Sequence, residues 1–342
     1  MYTSDDRGIL FSKSLERHLF DGQRKSDFTN ITSLRGVYLT NKLDEGRIRS
    51  VISFNRGRTW RQLDKPDNVE CQCNLHIHGE HSRNNRIVPM LALSEPTAIG
   101  LVIAHTVGDS LSSSQHPDVF VSSDGGYNWR GTLRGTHHYS ILDSGGLIVA
   151  VEAQHEGQVK TIFSTDEGQC WKSYNFTEQP FFFAGLASEP GTKAMNVSVW
   201  GFRPEEDGQP MWVTITIDFQ SLITRQNDQD YEKWLAHSTD GGDVERNGCV
   251  LGVKETYRRL KKQSVCRNGK GFVVSKKQSP CLCTREDYLD YGYYRHVNTS
   301  ECVRQSSAPN KTLELCLNGE EDELFTAYRK VPSDRCEGGF SP

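Results

Sequence analysis

The chain has 342 residues and a formal net charge of −4, with acidic and basic residues interspersed. This length gives room for two or three domains, and the charge pattern gives no electrostatic reason to expect a nucleic-acid partner. No apolar stretch approaches the roughly 18 residues of a membrane span, and the first residues do not resemble a signal peptide. We therefore expect any targeting segment or membrane anchor in a longer parent protein.

A short motif, Ser-x-Asp-x-Gly-x-x-aromatic, occurs four times in the first half of the chain. The four copies are Ser4/Asp6/Gly8/Phe11, Ser53/Asn55/Gly57/Trp60, Ser122/Asp124/Gly126/Trp129 and Ser164/Asp166/Gly168/Trp171. The Asp carboxylate can accept backbone N–H bonds, and the Gly tolerates positive φ, so the motif predicts a tight hairpin turn. It resembles the Asp box of β-propellers, in which the aromatic residue fills the gap between blades.

Strand-like segments precede three of these boxes. An apolar run begins at Gly36, Gly100 and Gly146, and a second β-rich run enters each box at residues 49–52, 118–121 and 160–163. The runs are short, β-branched and bounded by turn residues, which is typical of strands. Successive boxes are about 40 to 70 residues apart, a spacing that suits four-stranded propeller blades. No segment before residue 218 shows a convincing helical period.

The first box lies only a few residues from Met1, so the chain is expected to begin inside a blade. Residues 1–218 are predicted to form a partial β-propeller: a truncated blade, three blades with boxes and one boxless blade over residues 193–219. An open flank of such a propeller exposes strand edges. We expect these residues to be part of a longer protein.

Cysteines concentrate in the second part of the chain. Seven of the ten follow residue 220, at positions Cys249, Cys266, Cys281, Cys283, Cys302, Cys316 and Cys336. This part has little strand periodicity, which is typical of small modules held together by disulfides in a secreted protein. Five glycosylation sequons agree with a secretory route: Asn30, Asn175, Asn196, Asn298 and Asn310.

Several longer segments resemble the vacuolar-protein-sorting-ten domain receptor family. They include residues 27–38, 139–150, 163–171, 185–191 and 234–240 and the pair Cys281 and Cys283, and the likeness runs nearly from end to end. The resemblance implies the last blades of a ten-bladed propeller followed by two cysteine-rich modules, at residues 219–282 and 283–342. It also implies a membrane anchor beyond these residues.

The same resemblance implies a disulfide pattern with departures. Cys249 would pair with Cys281, and Cys283 with Cys336. Gln226 stands near the position of one family cysteine and another is missing near Leu289, so Cys266 and Cys302 lose their usual partners. We consider that these two bond to each other, with free thiols as the alternative. The family partner of Cys170 is also absent.

A metal site is one interpretation of Cys71, Cys73, His76, His78 and His81, because Cys and His are zinc ligands. The spacing matches no standard zinc motif, and residues 75–78 also read as an ordinary strand with both histidines on one face. In the family, the matching cysteines form a small loop disulfide, so a Cys71–Cys73 bridge or two free thiols are the alternatives. We predict no metal and no cofactor.

Ligand-binding residues are difficult to assign from the sequence. Arg35 and Tyr38 flank an expected innermost strand, where an Arg could hold a peptide carboxylate, although a structural ion pair is the simpler interpretation. The basic run at residues 258–262 is more often a solvated face than a heparin site. His137, His138 and Asp143 lack a convergent nucleophile, so a structural role is favoured for them.

Two classes of function follow. The resemblance implies a non-enzymatic receptor that binds peptides and proteins (neuropeptide, propeptide or lysosomal cargo) and acts in the Golgi, in endosomes and at the cell surface, on the luminal side. The alternative is an Asp-box glycoside hydrolase of the sialidase type. A sialidase needs clustered Arg residues, a Tyr nucleophile and acidic partners, and the Arg residues are scattered here. The receptor is therefore the favoured prediction.

Overall fold

A computed structural model describes most of the chain. The described residues are 1–4, 8, 11–21, 24–66, 68–69, 74–108, 111, 117–153, 160–179, 181–189, 191, 193–204, 209–239, 247–262, 264–288, 293–295, 302–304, 313–317, 320–324 and 330–341. They divide into two compact units. Unit 1 contains residues 1–15, 238–255 and 278–342, and unit 2 contains residues 16–237 and 256–277.

The strands of unit 2 form four successive antiparallel sheets, here called blades 1 to 4. Before them, β1 (Tyr2–Ser4) and β2 (Phe11–Lys13) form a hairpin in unit 1. Blade 1 consists of β3 (Phe28–Asn30), β4 (Tyr38–Asp44), β5 (Arg47–Ser53) and β6 (Arg61–Gln62). Blade 2 consists of β7 (His76–Ile77), β8 (Leu93–Ser94), β9 (Val102–Val107), β10 (Asp118–Ser122) and β11 (Arg130–Leu133). Blade 3 consists of β12 (His137–Leu142), β13 (Leu147–Glu152), β14 (Lys160–Ser164) and β15 (Lys172–Asn175). Blade 4 consists of β16 (Phe182–Ser188), β17 (Asn196–Pro204) and β18 (Pro210–Asp218).

Shorter elements follow the blades. In unit 2, β19 (Tyr231–Leu235) pairs with residues 256–260 of β21 (Val253–Leu260). In unit 1, β20 (Cys249–Val250) pairs with residues 253–254 of that strand. The remaining strands are β22 (Ser275–Pro280), which pairs with β21, and two hairpins: β23 (Tyr293–Arg295) with β24 (Cys302–Arg304), and β25 (Leu313–Leu317) with β26 (Glu320–Leu324). Single 3-10 turns span Asp143–Gly145, Asp228–Asp230 and Arg285–Asp287.

The blades pack face to face. Every residue of β9 is buried, as is all of β13 except Glu152. Ile52 of blade 1 shares a core with Phe120 of blade 2, Val121 of blade 2 shares one with Ile148 of blade 3, and Val149 of blade 3 shares one with Val199 of blade 4. The fold is therefore all-β, a partial β-propeller followed by small disulfide-bonded segments, as predicted.

The Asp-box turns share one hydrogen-bond pattern. In the third copy the Ser122 hydroxyl donates to the Asp124 carboxylate at 2.8 Å and accepts from Gly126 N at 2.8 Å. The Asp124 carboxylate also accepts from the backbone N–H groups of Tyr127 and Asn128, each at 3.0 Å. Trp129, 3% exposed, packs in the core that blades 1 and 2 share.

The second and fourth copies repeat this pattern. The Asn55 amide oxygen accepts from Thr59 N at 2.9 Å, as the Asp166 carboxylate accepts from Cys170 N at 2.9 Å. Gly57 and Gly168 both adopt left-handed φ values, of 82° and 83°. In the first copy, Ser4 and Gly8 belong to the described chain and Asp6 lies outside it.

The aromatic residue of the second copy, Trp60, has no neighbouring blade within the described chain. Trp60 is only half-buried, and it is not a member of the cores that the described blades share. The reason is its position in the series. Trp129 of blade 2 packs in the core shared with blade 1, and Trp171 of blade 3 packs in the core shared with blade 2. By the same rule, the aromatic of blade 1 belongs on the side away from blade 2, where the described part of unit 2 has no further blade. The role of Trp60 as a plug between blades therefore stays a prediction.

One helix was not expected from the sequence. Helix α1 (Glu80–Asn84) lies between β7 and β8, within the longest interval between boxes. Its N-terminal backbone is bound from a distant position, since Glu80 N donates to the Asp27 carboxylate. Asp27 also accepts from the Asn41 side chain at 2.7 Å. This five-residue helix depends on tertiary contacts, which explains why no helical period is visible.

Cysteine pairing agrees with the family resemblance at two bridges. The structure forms the Cys249–Cys281 and Cys283–Cys336 disulfides, both within unit 1. The predicted Cys266–Cys302 bridge is wrong: Cys266 has a free, buried thiol that donates to the Asp230 carboxylate at 2.9 Å. Cys170 is free and exposed. Cys71 and Cys73 lie outside the described residues.

The division into units differs from the domain boundaries expected at residues 218 and 282. Residues 219–237 and 256–277 of the expected first module belong to the same unit as the blades. The reason is local packing: Trp234, Ala236 and Tyr257 join the core that blades 1 and 2 share. The boundaries at residues 218 and 282 stay predictions.

The Asp-box geometry predicts a specific pattern of stability changes. Asp124→Ala should lower the free energy of unfolding by about 1–2 kcal/mol, because the turn N–H groups lose their acceptor, and Trp129→Ala by about 3–5 kcal/mol, because it leaves a cavity. Asp124→Asn should recover most of the loss, since Asn55 makes the equivalent contacts in the second copy. Urea unfolding measures all three variants. An Asn variant as unstable as the Ala variant would contradict the turn mechanism.

Because Cys266 has a free thiol, a second cysteine placed beside it should form a disulfide. Arg267 N donates to Arg225 O at 2.9 Å, which brings the backbone at residues 226 and 266 together. Gln226→Cys should therefore bond to Cys266 and raise the free energy of unfolding by about 2–4 kcal/mol. Non-reduced peptide mapping identifies the bridge, and Gln226→Ser is the matched control. Two alkylatable thiols at these positions would contradict the prediction.

Candidate functional site

A pocket in unit 2 brings together loops of blades 2 and 3 and the end of β21. It is a small depression that is about half open to solvent. Its apolar lining includes Ala98, Leu101, Leu260 and Phe272. Its polar lining consists of Thr97, Ser144, Glu167, Arg258, Arg259 and Asn268.

The turn at Asp143 forms one wall of this pocket. Asp143 is completely buried, and its carboxylate accepts from Asn268 N at 2.6 Å and Gly269 N at 2.7 Å. The Asn268 side chain donates back to Asp143 O at 2.8 Å. Asp143 and Ser144 both have left-handed φ values, of 49° and 53°, which is strained backbone for residues with a Cβ. This contact attaches residues 268–269 to blade 3.

Two acceptor groups on the pocket lining lack hydrogen-bond partners within the described chain. They are the hydroxyl of Ser144, a residue only 5% exposed, and one carboxylate oxygen of Glu167. Burial raises the pKa of Glu167, and the nearby positive charges of Arg259 and Lys262 oppose that shift. Groups of this kind can bind a small polar ligand group or water.

The two arginines of the lining are already engaged. Arg259 donates to Ser123 O at 2.6 Å, and its guanidinium lies 4.3 Å from the centre of the Trp234 ring. Arg258 stacks on Tyr231 at 4.0 Å and pairs with Asp228 at 2.7 Å. Both guanidinium groups are therefore committed to contacts within the protein.

The position of Tyr38 in blade 1 differs from the expectation. Tyr38 begins β4, which is the second strand of blade 1, so the expectation that these residues flank the innermost strand is wrong: β3 occupies that edge position. The Tyr38 ring contacts Phe28 at 5.1 Å. Arg35 O accepts from His237 Nε2 at 3.0 Å, within a contact that also includes Tyr127.

The histidines that suggested a metal have other partners. His76 Nδ1 accepts from Ser50 N at 3.1 Å, and His78 Nδ1 bonds the Ser82 hydroxyl at 2.8 Å. His81 lies on α1, with its ring nitrogen 3.3 Å from the Asn85 amide. No cluster of metal-ligating side chains occurs within the described ranges, which exclude Cys71 and Cys73.

Sequence reasoning missed most of the pocket. The sequence marks Asp143 only as a polar residue near a Gly-Gly turn, and Glu167 only as a residue inside a box. His105, a buried residue of β9, was also missed: its Nε2 accepts from His137 N at 3.1 Å. A polar residue within an apolar run is a signal that could have identified His105.

The buried histidines predict that acid destabilises unit 2. Burial lowers the pKa of His78 to about 4, with a contribution from His76, and lowers that of His105 to about 3. Unfolding returns both pKa values to about 6.5, so the unfolded state binds more protons below that pH. The two together should remove about 4 kcal/mol of stability between pH 7.5 and pH 5.

Urea unfolding at pH 7.5 and pH 5 measures this effect. His105→Gln should lower the stability at pH 7.5 and reduce its pH dependence, whereas His81→Gln on α1 is the control. The raised pKa values of Asp27 and Asp143 act in the opposite direction, and the comparison between variants removes their contribution. An unchanged pH dependence in His105→Gln would contradict the assignment.

Comparison with known proteins covers the whole chain. Residues 1–186 match the family model Sortilin-Vps10, described as "Sortilin, neurotensin receptor 3", and residues 188–342 match Sortilin_C, described as its C-terminal part. Rat sortilin is 51% identical over 100% of this chain and 43% of its own length. The human VPS10 domain-containing receptor SorCS1 is 31% identical over 99% of this chain and 29% of its own length.

A solved xyloglucanase from Xanthomonas campestris is 12% identical, with a TM-score of 0.36, and the match covers 84% of this chain and 42% of that chain. The chain spans less than half the length of rat sortilin and of human SorCS1. No helix in the described ranges has the length and apolar character needed to cross a bilayer. On the family-model matches, which together cover both the blades and the cysteine-rich part, this chain belongs to the sortilin family of Vps10-domain receptors.

Proposed function

We propose that the chain is part of the luminal ligand-binding region of a sorting receptor. The observation that carries this proposal is the pair of family-model matches, over residues 1–186 and 188–342. The ligands are peptides and proteins, of the neuropeptide, propeptide or lysosomal cargo type. The route is transport from the Golgi to endosomes and lysosomes, with endocytosis from the cell surface, and the whole protein carries a membrane anchor.

Features of the blades limit where a ligand can bind. The Asp-box side chains are engaged in their own turns, so they serve the fold and leave ligand recognition to other residues. The pocket at Glu167 and Ser144 has unsatisfied acceptors but small dimensions. Arg35 and Tyr38 stay proposals for peptide contact.

The secretory location is supported by two disulfides and by sequon exposure. Asn30 and Asn175 are exposed at strand ends, whereas Asn196 at the start of β17 is only partly exposed. Asn298 and Asn310 lie outside the described residues. Glycosylation at all five stays a proposal, with the two exposed sites favoured.

The proposal is tested by peptide binding to the immobilised 342-residue chain. The probes are neurotensin, named in the description of the matching family model, an amidated form of it and a scrambled peptide. We expect saturable binding of neurotensin only, and retained binding in Asp124→Ala below its melting temperature. Arg35→Ala tests the carboxylate contact, with Arg58→Ala as the control.

A chain that melts cooperatively and binds none of these probes would contradict the ligand proposal. Loss of binding in Asp124→Ala with unchanged melting would move the ligand contact to the box. Weaker binding of the amidated peptide in the wild type, but not in Arg35→Ala, would identify Arg35 as the carboxylate contact.

A further inference from the structure

The segment at residues 256–277 carries a strong positive charge. It contains eight Lys or Arg residues and no Asp or Glu, whereas the whole chain has a net charge of −4. The segment belongs to unit 2, together with β19. Charges of one sign on a short segment repel each other, so they do not stabilise the fold but attract an anionic partner. The sequence alone favours a solvated face for the run at residues 258–262, and the strand register adds a further observation.

Two of the cations lie directly opposite each other in the sheet. In the antiparallel register of β19 and β21, Lys233 pairs with Arg258. Like charges in opposite positions destabilise a sheet, whereas the next pair in the same register, Glu232 with Arg259, is complementary. The repulsion between Lys233 and Arg258 is a cost to the fold, and an anion bound beside the pair would remove it.

This pair faces away from the blades. Side chains alternate between the two faces of a strand, and the neighbouring pair, Trp234 with Tyr257, packs in the core that blades 1 and 2 share. Lys233 and Arg258 therefore lie on the opposite face of the sheet. Lys233 is exposed, and it has no ion-pair or hydrogen-bond partner within the described ranges. Its ammonium group is available to a ligand.

Arg258 is held on the same face by an aromatic ring. Its guanidinium lies 4.0 Å from the centre of the Tyr231 ring, and its Nη2 atom lies 2.7 Å from the Asp228 carboxylate. The Asp228 side chain is 96% exposed, and an exposed ion pair contributes little stability, so another anion can compete for the guanidinium. The contact with Tyr231 does not depend on Asp228 and keeps the guanidinium in place.

A third strand extends the positive charge. β22 also pairs with β21, and each of its residues is exposed. The part of β22 that belongs to unit 2 contributes Lys276 and Lys277. Adjacent strands lie about 4.8 Å apart, so cations occur at short intervals across β19, β21 and β22. These four residues, Lys233, Arg258, Lys276 and Lys277, are here called the basic surface.

We propose that the basic surface binds a sulfated glycosaminoglycan, with sulfate groups at Lys233 and Arg258 and further anionic groups at the lysines of β22. A chain of this class repeats its anionic groups along a stiff backbone, so it contacts several cations at once and loses little conformational entropy. An acidic peptide would have to become ordered as it binds. The choice of a glycan rests on the proposed secretory and cell-surface location, where such chains occur.

The test uses heparin, a sulfated glycosaminoglycan, and the 342-residue chain. Surface plasmon resonance on immobilised heparin should show saturable binding at about 0.15 M NaCl and little binding at about 1 M, because salt screens exposed charges. Fully desulfated heparin should not bind. No peptide ligand is present, so failure of this test and failure of the proposed receptor function are distinguishable.

The variant Lys233→Glu separates binding from folding. It should weaken heparin binding by about fivefold or more, because a repulsive charge replaces an attractive one. The urea midpoint should stay unchanged or rise, because the new carboxylate then faces Arg258. The double variant Lys276→Gln and Lys277→Gln should also weaken binding, by about threefold or more. Lys172→Glu on the exposed strand β15 is the matched control and should leave binding unchanged.

Three outcomes would overturn the proposal. One is a cooperatively melting chain that does not bind heparin, or that binds it equally well after Lys233→Glu. Another is binding of polyglutamate as tight as that of heparin, which would assign the basic surface to an acidic peptide. The third is tighter binding to vesicles of phosphatidylserine and phosphatidylcholine than to heparin, which would assign it to a membrane.

Discussion

The face-to-face packing of the blades is the constraint on which the structure of unit 2 depends. The middle strands β9 and β13 are buried on both faces, so no blade can bury its apolar residues alone. At about 1.5–3 kcal/mol for each large aliphatic side chain, this packing dominates the local energetics. Trp129 and Trp171 extend the packing to the rim, because their boxes place them between neighbouring blades.

A second requirement concerns the segment that follows the blades. Residues 256–277 have few strands of their own, and they gain order by attachment to the blade surface. The strained Asp143–Ser144 turn directs a buried carboxylate at two backbone N–H groups, and Arg259 donates to the backbone of a box turn. Buried polar groups must be satisfied, so each of these contacts holds two loops together, one from a blade and one from residues 256–277. The pocket at Glu167 lies between these attachments.

The sequence predicted the features whose signals are local. The boxes are visible because Ser, Asp, Gly and Trp occur at fixed spacing, and Asn55 shows that an acceptor at the Asp position is sufficient for the turn geometry. The burial of a box aromatic depends on the neighbouring blade and not on the local sequence, so Trp60 differs from Trp129.

The pocket was not predictable from the sequence, since its residues are far apart in the chain and meet only through tertiary packing. Helix α1 was missed for the same reason: a carboxylate from residue 27 binds its N-terminus. Tyr38 was misplaced because periodicity identifies strands but does not give their order in a sheet.

Polar contacts hold the segment around Cys266, where the family resemblance implies a disulfide. Cys266 keeps a buried position and donates its thiol to Asp230, which also binds Arg225 at 2.9 Å. Gln226 donates to Asn268 O at 3.0 Å, and Asn268 is the residue that Asp143 binds. Polar contacts therefore connect the chain near Gln226 with the chain near Cys266, the two positions that the implied disulfide would join. Such contacts order the native state but do not restrict the unfolded chain, which is the main effect of a disulfide. The Asp143 contact therefore links the stability of this segment to that of the blades.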